Sequence, residues 1–280
     1  MRKSLSDIGS MKARGEKITM LTAYDASMSR LLAGCDVDML LVGDSLGMVM
    51  LGYDSTVPVT MDEMLHHAKA VRRGAPESFI VGDMPYGSYQ TGNRDAINNA
   101  IRFLKEADCD AVKLEGGLSM CGIVRALVDA GIPVMAHIGL TPQTASQLGG
   151  YKVQGKGIED ATRLVAEAKG LEEAGAFGII LECVPDTLAK VISGTVSMPT
   201  VGIGAGVYCD GQVLVTHDLL GMFDKFTPKF VKKFADLSPI IKEAIRSYGV
   251  EVKEGSYPAA EHTFTSETNY DSLLEDEKIK

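Results

Sequence analysis

The chain has 280 residues, 45% hydrophobic and 23% charged, with a formal net charge of -9 and a pI near 5.1. That acidic balance disfavours a nucleic-acid partner, no apolar run approaches the ~20 residues that cross a bilayer, and the basic amino terminus lacks the apolar stretch of a signal peptide. The five cysteines show no CxxC spacing, which argues for free thiols in a reducing compartment over disulfides.

Residues 1–16 are polar and predict a short lead-in helix covering the lower end of a barrel. KITMLTAYD, 17–25, is the first strand, with Tyr24 and Asp25 at its tip. Residues 26–35 carry apolar positions at helical spacing and stop at Gly34. LLVGDSLG, 40–47, is an apolar strand that ends abruptly in Asp44 and Ser45, as a buried parallel strand does when it delivers polar groups at its carboxyl end. Residues 47–60 have no period and predict a long loop over that end. Thr60 and Glu63 spell a capping box for a helix running to about Arg73. His66 and His67 are adjacent in it, so they point to different faces and cannot share a metal.

FIVGDMP, 79–85, is the third strand and ends in Asp83; the helix after it has Ile97, Ala100 and Leu104 as its apolar face. In AVKLEGG, 111–117, Lys113 and Glu115 are two apart and share one face. With Val112 and Leu114 packed outward, both charges point inward, which is costly unless a ligand compensates them. PVMAHIG, 133–139, is the fifth strand, ending at His137. Thr141-Pro142 reads as a helix N-cap with a first-turn proline, and the glycine-rich loop 148–157 carries Lys152 and Lys156. A helix over 159–173 leads to GIILECVP, a strand ending in Glu182, with Cys183 expected on its other face. PTVGIGAG, 199–206, and QVLVTHD, 212–218, are the last two strands; 228–249 supplies terminal helices.

Eight strand-helix repeats predict an α/β fold, a (β/α)8 TIM barrel with an N-terminal lead-in helix and C-terminal helices. The catalytic domain is expected over 1–264, followed by a polar acidic tail over 265–280. Active sites of such barrels lie at the carboxyl ends of the strands, a filter that Asp44, Ser45, Asp83, Lys113, Glu115, His137 and Glu182 all pass. Asp44, Asp83 and Glu115 stand on neighbouring strands ~4.8 Å apart and suit a hard cation such as Mg²⁺. Glu182, opposite them in an eight-strand ring, is placed as general base for a carbon acid. Lys113 would pair with a substrate carboxylate or enolate oxygen, with His137 donating nearby. GIGAG, 202–206, is either a phosphate cradle or a tight backbone turn against a ligand or neighbour. Two other readings are a carbon–carbon lyase or mutase on 2-oxo acids, disfavoured without a cysteine on the site face, and a non-catalytic binding barrel.

VGDSLGMVMLGYDSTVPVT, DMPYGSY, VKLEGG, HIGLTPQ with GGYKVQGKG, LECVP and VGIGAGVYCDGQVLV occur in this order between about Lys17 and Phe264. Together they resemble the ketopantoate hydroxymethyltransferase (3-methyl-2-oxobutanoate hydroxymethyltransferase) family. The resemblance implies a cytoplasmic homodecamer of pantothenate biosynthesis that transfers a hydroxymethyl group from 5,10-methylenetetrahydrofolate to 3-methyl-2-oxobutanoate, giving 2-dehydropantoate. It also implies one Mg²⁺ per subunit on Asp44 and Asp83 with Glu115 nearby, substrate held by Asp44, Ser45, Asp83 and Lys113, and Glu182 as base. The resemblance assigns no role to the acidic stretch after Phe264.

Overall fold

A computed structural model describes residues 2–223 and 226–273, so the end of the expected tail, 274–280, lies outside the described residues. The chain forms two compact units, Met1–Phe234 and Ala235–Lys280. In the first unit the order is α1 (Leu5–Arg14), β1 (Ile18–Thr22), α2 (Ala26–Ala33), β2 (Met39–Val42), α3 (Leu46–Val49), α4 (Met61–Gly74), β3 (Phe79–Asp83), α5 (Asn93–Ala107) and β4 (Ala111–Glu115). It continues through α6 (Cys121–Asp129), β5 (Val134–Gly139), α7 (Ile158–Glu173), β6 (Gly178–Glu182), α8 (Asp186–Thr195), β7 (Thr200–Ile203), β8 (Gly211–Leu214) and α9 (Thr216–Leu219). The strands pair in parallel and in chain order, and β8 returns to β1 to close an eight-stranded barrel. The second unit contains α10, Leu237–Glu254, which ends on Gly255 in the left-handed conformation.

Strand alternation builds two cores. On β4, Val112 and Leu114 face the helical shell, while Ala111 faces the barrel interior. The interior is filled by Ile18, Met39, Phe79, Met135 and Val201 from different strands, and α1 adds Ile8 and Met11 to it. Burying each of these two side chains contributes about 1.5–3 kcal/mol, so the lead-in helix is part of the core. Its start is fixed by a Ser4/Asp7 capping box and its end by left-handed Gly15. Outside, a Cβ on Gly82 would stand 2.4 Å from the Phe103 ring, and this glycine therefore sets how closely α5 lies on β3.

Several boundaries differ from expectation for local reasons. The Thr60/Glu63 box opens α4 as predicted, but the loop before it begins as the helical turn α3. The buried face of α5 is Ala96, Ala100, Phe103 and Ala107, with Ile97 and Leu104 half-buried at its margin. β5 runs two residues past His137. Thr141-Pro142 opens only a short 3-10 turn, Pro142–Thr144, without a side-chain cap bond. β8 stops at Leu214, and Thr216, His217 and Asp218 belong to α9. Residues 228–236 are not helical; α10 starts at Leu237, where Pro239 falls in a first turn that needs no N–H from it. All five cysteines are free, Cys109 and Cys209 buried, but Cys35 is exposed.

Candidate active site

The strand register brings the expected residues together. Parallel pairing sets Asp83 beside Lys113 on β3 and β4, Glu115 beside His137 on β4 and β5, and Gly139 beside Glu182 on β5 and β6. Asp44 and Ser45 follow β2 after the single residue Gly43. All seven predicted residues line one cavity of about 540 Å³ at the carboxyl ends of the strands.

Lys113 Nζ lies between two carboxylates, 2.7 Å from Asp83 Oδ1 and 3.3 Å from Glu115 Oε1. Burial would lower its pKa, but Asp83, Glu115 and Asp44 raise it, so the ammonium stays protonated. The backbone N–H of Asp44 donates to Asp83 Oδ2 at 3.2 Å. Burial and the like charge of Asp83 hold the Asp44 carboxyl well above the usual carboxylate range. His137 is fully enclosed, with Nδ1 3.4 Å from Glu115 Oε1 and Nε2 3.3 Å from Glu182 Oε2. Neither contact is aligned as a hydrogen bond, so both ring nitrogens are buried without one. Burial and Lys113 lower its pKa, yet the two flanking carboxylates raise it to about 9.

Residues that the sequence did not single out complete the polar network. Gln143, in the turn after β5, is buried; its Nε2 donates to Asp44 Oδ2 at 2.9 Å and to the Met84 carbonyl at 2.9 Å, and its backbone N–H to Glu115 Oε2 at 3.1 Å. Tyr89 donates to Gln143 Oε1 at 2.6 Å and accepts the Glu115 N–H at 3.2 Å. Ser45 Oγ is 2.8 Å from the hydroxyl of buried Tyr24. A buried glutamine after proline carries no local signature; only the proline-fixed turn hinted that this loop is ordered.

One sequence reading changes. Cys183 lines the cavity instead of facing away, because its backbone leaves the strand in the left-handed region at φ 49°. Burial and the Glu182 charge push its thiol up to about 12, which leaves no thiolate for nucleophilic chemistry. In the GIGAG turn a Cβ on Gly204 would stand 2.8 Å from the Phe230 ring and one on Gly206 2.3 Å from Asp186 Cβ. Close packing therefore accounts for these glycines, the second of the two readings offered for them. Lys152 lines the cavity, but Lys156 borders a separate groove between α7 and α8. His67 Nδ1 sits 2.7 Å from the Tyr24 carbonyl, a contact by which α4 braces the tip of β1.

Three buried carboxyl groups, Asp44, Asp83 and Glu115, crowd around Lys113, and burial next to Asp83 makes the charged form of Asp44 costly, a cost that a hard cation would offset. No three His, Cys, Asp or Glu side chains among the described residues are gathered closely enough to hold a metal by themselves. A cation here would take few protein ligands and fill its shell with water and substrate oxygens, the coordination that Mg²⁺ favours. Opposite, Glu182 is only partly buried and free to meet a carbon-bound proton. The arrangement suits proton abstraction next to a carbonyl.

The sequence profile of the ketopantoate hydroxymethyltransferase family matches residues 2–260. Among curated relatives, 3-methyl-2-oxobutanoate hydroxymethyltransferase of Desulfotalea psychrophila is 64% identical over 98% of this chain and 98% of that protein. The protein of the same name from Heliobacterium modesticaldum is 58% identical over 91% and 92%. In fold, the chain resembles phosphonopyruvate hydrolase, at TM-score 0.62 and 13% identity over 98% of this chain and 94% of that one. It also resembles phosphoenolpyruvate phosphomutase of Streptomyces platensis subsp. rosaceus, at TM-score 0.61 and 14% identity over 98% and 94%. At such identities the likeness is one of fold alone.

Proposed function

The chain belongs to the ketopantoate hydroxymethyltransferase family, and from that premise we propose how its cavity performs hydroxymethyl transfer to 3-methyl-2-oxobutanoate, with Glu182 as the base. The observation that carries the reading is the ring order. Glu182 on β6 stands four strands from Asp44 beyond β2, so a 2-oxo acid held at the Asp44 side presents its C3 toward Glu182 across one cavity.

The substrate carboxylate pairs with the Lys113 ammonium and takes a hydrogen bond from Ser45, whose hydroxyl is oriented by Tyr24. Glu182 removes the C3 proton. His137, in contact with both Glu182 and Glu115, keeps the base directed at C3. Lys113, protonated and shielded from water, stabilises the charge that develops on the keto oxygen. Asp44 and Asp83, with Glu115 close by, would hold Mg²⁺, which as a Lewis acid polarises the keto group. A solved relative by fold, phosphonopyruvate hydrolase, has been crystallised with oxalate and Mg²⁺, a small diacid and cation of the same chemical kind. 5,10-Methylenetetrahydrofolate would supply the one-carbon unit: C3 bonds to its methylene carbon, both methylene C–N bonds break, a water supplies the hydroxyl oxygen, and tetrahydrofolate leaves with the protons on its nitrogens. The same family reading carries a cytoplasmic homodecamer, which sedimentation would measure; among the described residues no helix is long and apolar enough to cross a membrane.

The test is formation of 2-dehydropantoate from 3-methyl-2-oxobutanoate and 5,10-methylenetetrahydrofolate, with Mg²⁺ and with a chelator. Metal-dependent product is expected. A folded, metal-loaded protein that makes none would return the lyase and binding readings.

A further inference from the structure

The cavity is larger than a five-carbon oxo acid needs: about 540 Å³ lies within the range, roughly 300–1,000 Å³, of pockets that take drug-sized ligands. Its chemistry is also uneven. The carboxylates, Lys113 and His137 stand at the tips of β2 to β6, whereas the stretch after β8 contributes Asp218 and the aromatic side chains Phe223, Phe226 and Phe230. The reaction as drawn uses none of these four.

Asp218 stands in the α9 turn, half-buried and on the same cavity lining as those aromatic side chains, with Lys233 the charge that offsets part of its burial. Phe226 is 68% exposed although it lines the cavity. An aromatic face presented to a cavity and left wet gains most when a flat apolar surface covers it. A carboxylate offers two acceptors side by side, the complement of a ligand edge with two adjacent N–H donors. A flat ring with such an edge is what the donor brings. We propose that Asp218 and the Phe223, Phe226 and Phe230 wall form the seat of the donor's 2-amino-4-oxopteridine ring. Asp218 accepts from the 2-amino group and the neighbouring ring N–H, and the aromatic side chains cover the ring face. This rests on the reading of the donor as a reduced folate. Lys152 and Lys229, exposed and on the same cavity lining, suit the carboxylates at the ligand's far end.

The experiment uses the full-length, Mg²⁺-loaded enzyme and calorimetric titration with tetrahydrofolate, alongside solvent-proton exchange at C3 of 3-methyl-2-oxobutanoate. D218N should weaken tetrahydrofolate about 10- to 100-fold, the usual loss for a hydrogen bond to a charged group, with the exchange rate within a factor of about two of the parent. Equal affinity in D218N would overturn the proposal. A second arm needs no variant: a 2-desamino tetrahydrofolate should bind the parent enzyme more weakly than tetrahydrofolate by a similar factor, and equal binding overturns the proposal even if D218N fails to fold. Exchange without any binding of tetrahydrofolate would overturn the folate reading and this seat with it, while leaving the base at Glu182 standing. Loss of exchange in the parent enzyme would strike the proposed function itself.

Discussion

Gln143 holds Asp44: the glutamine Nε2 donates to Asp44 Oδ2 at 2.9 Å while its other proton goes to the Met84 carbonyl at 2.9 Å. One residue beyond β5 thereby ties the tips of β2 and β3 together, and through its backbone N–H and Tyr89 it reaches Glu115 on β4 as well. Replacing Gln143 by Leu keeps the volume but leaves the Asp44 carboxylate, the Met84 carbonyl and the Tyr89 hydroxyl short of partners. Buried groups stripped of partners cost ~1–3 kcal/mol each, partly recovered by relaxation, so the variant should lose about 2–5 kcal/mol in denaturant unfolding. Its Mg²⁺ requirement should also rise about 10- to 100-fold, as when a ligand loses its support. An unchanged Mg²⁺ titration in a destabilised Q143L would reduce the glutamine to a packing role.

Glu182→Gln keeps shape and removes the base. A positioned base supplies about 10²- to 10⁴-fold, so kcat and the rate of C3 proton exchange should both fall by that factor while calorimetry still detects 3-methyl-2-oxobutanoate. Retention of exchange would move the base to another residue.

Asp83 and Lys113 should part company under substitution. Asp83→Asn leaves Lys113 its contact with Glu115 and should act mainly as a raised Mg²⁺ requirement. Lys113→Met removes the ammonium between two buried carboxylates and should destabilise the fold by about 3–5 kcal/mol, measured as a lower urea midpoint in metal-free buffer, with Mg²⁺ restoring part of it. A Lys113→Met protein as stable as its parent would mean that the carboxylates take up protons at no cost.

Stability should carry a pH signature from Asp218. Its carboxyl ionises near 3.8 in the unfolded chain and near 6 in the folded one, because burial opposes the charge and Lys233 only partly offsets it. Between those values the folded state binds the proton more tightly, so stability falls as pH rises from about 4 to about 6 and stays lower above. D218N lacks this penalty. It should melt higher than the parent at pH 7, by about 1 kcal/mol once solvent screening of a half-buried group is allowed for, and the difference should vanish near pH 3.5. A constant difference across that range would assign the effect to something other than ionisation. The same carboxylate would then weaken the fold and bind the ligand, a common conflict at functional sites.

The barrel was legible because its signals are local and repeated. The period of strands and helices, the Thr60/Glu63 box and the two-residue spacing of Lys113 and Glu115 each follow from short-range geometry. Placing candidates at strand tips then gathered seven residues that the structure gathers too. What escaped depends on closure or on backbone conformations that side-chain patterns do not announce. Gln143 looks like a solvated loop residue until β5 lies beside β4. Cys183 would face away from the cavity if its φ stayed negative, and nothing about a cysteine marks a left-handed position. Phe230 reads as part of a terminal helix, although the chain around it follows an irregular path against Gly204. Asp218 was read as the end of a strand, whereas a short helical turn brings it to the cavity.

The pairing of Ile18 with Gly211 also sets a birth order. The two strands that close the ring are roughly 190 residues apart, and at ~5–20 residues per second on the ribosome the first of them waits about 10–40 s for its partner. For that interval β1 presents an open edge, the kind of surface that pairs with whatever strand it meets. Nascent chains arrested before Gly211 should therefore be protease-sensitive and prone to chaperone capture, and those arrested after β8 has emerged should not. Resistance of the shorter chains would mean that seven strands suffice, with Ile8 and Met11 enough to hold the floor of an unclosed barrel.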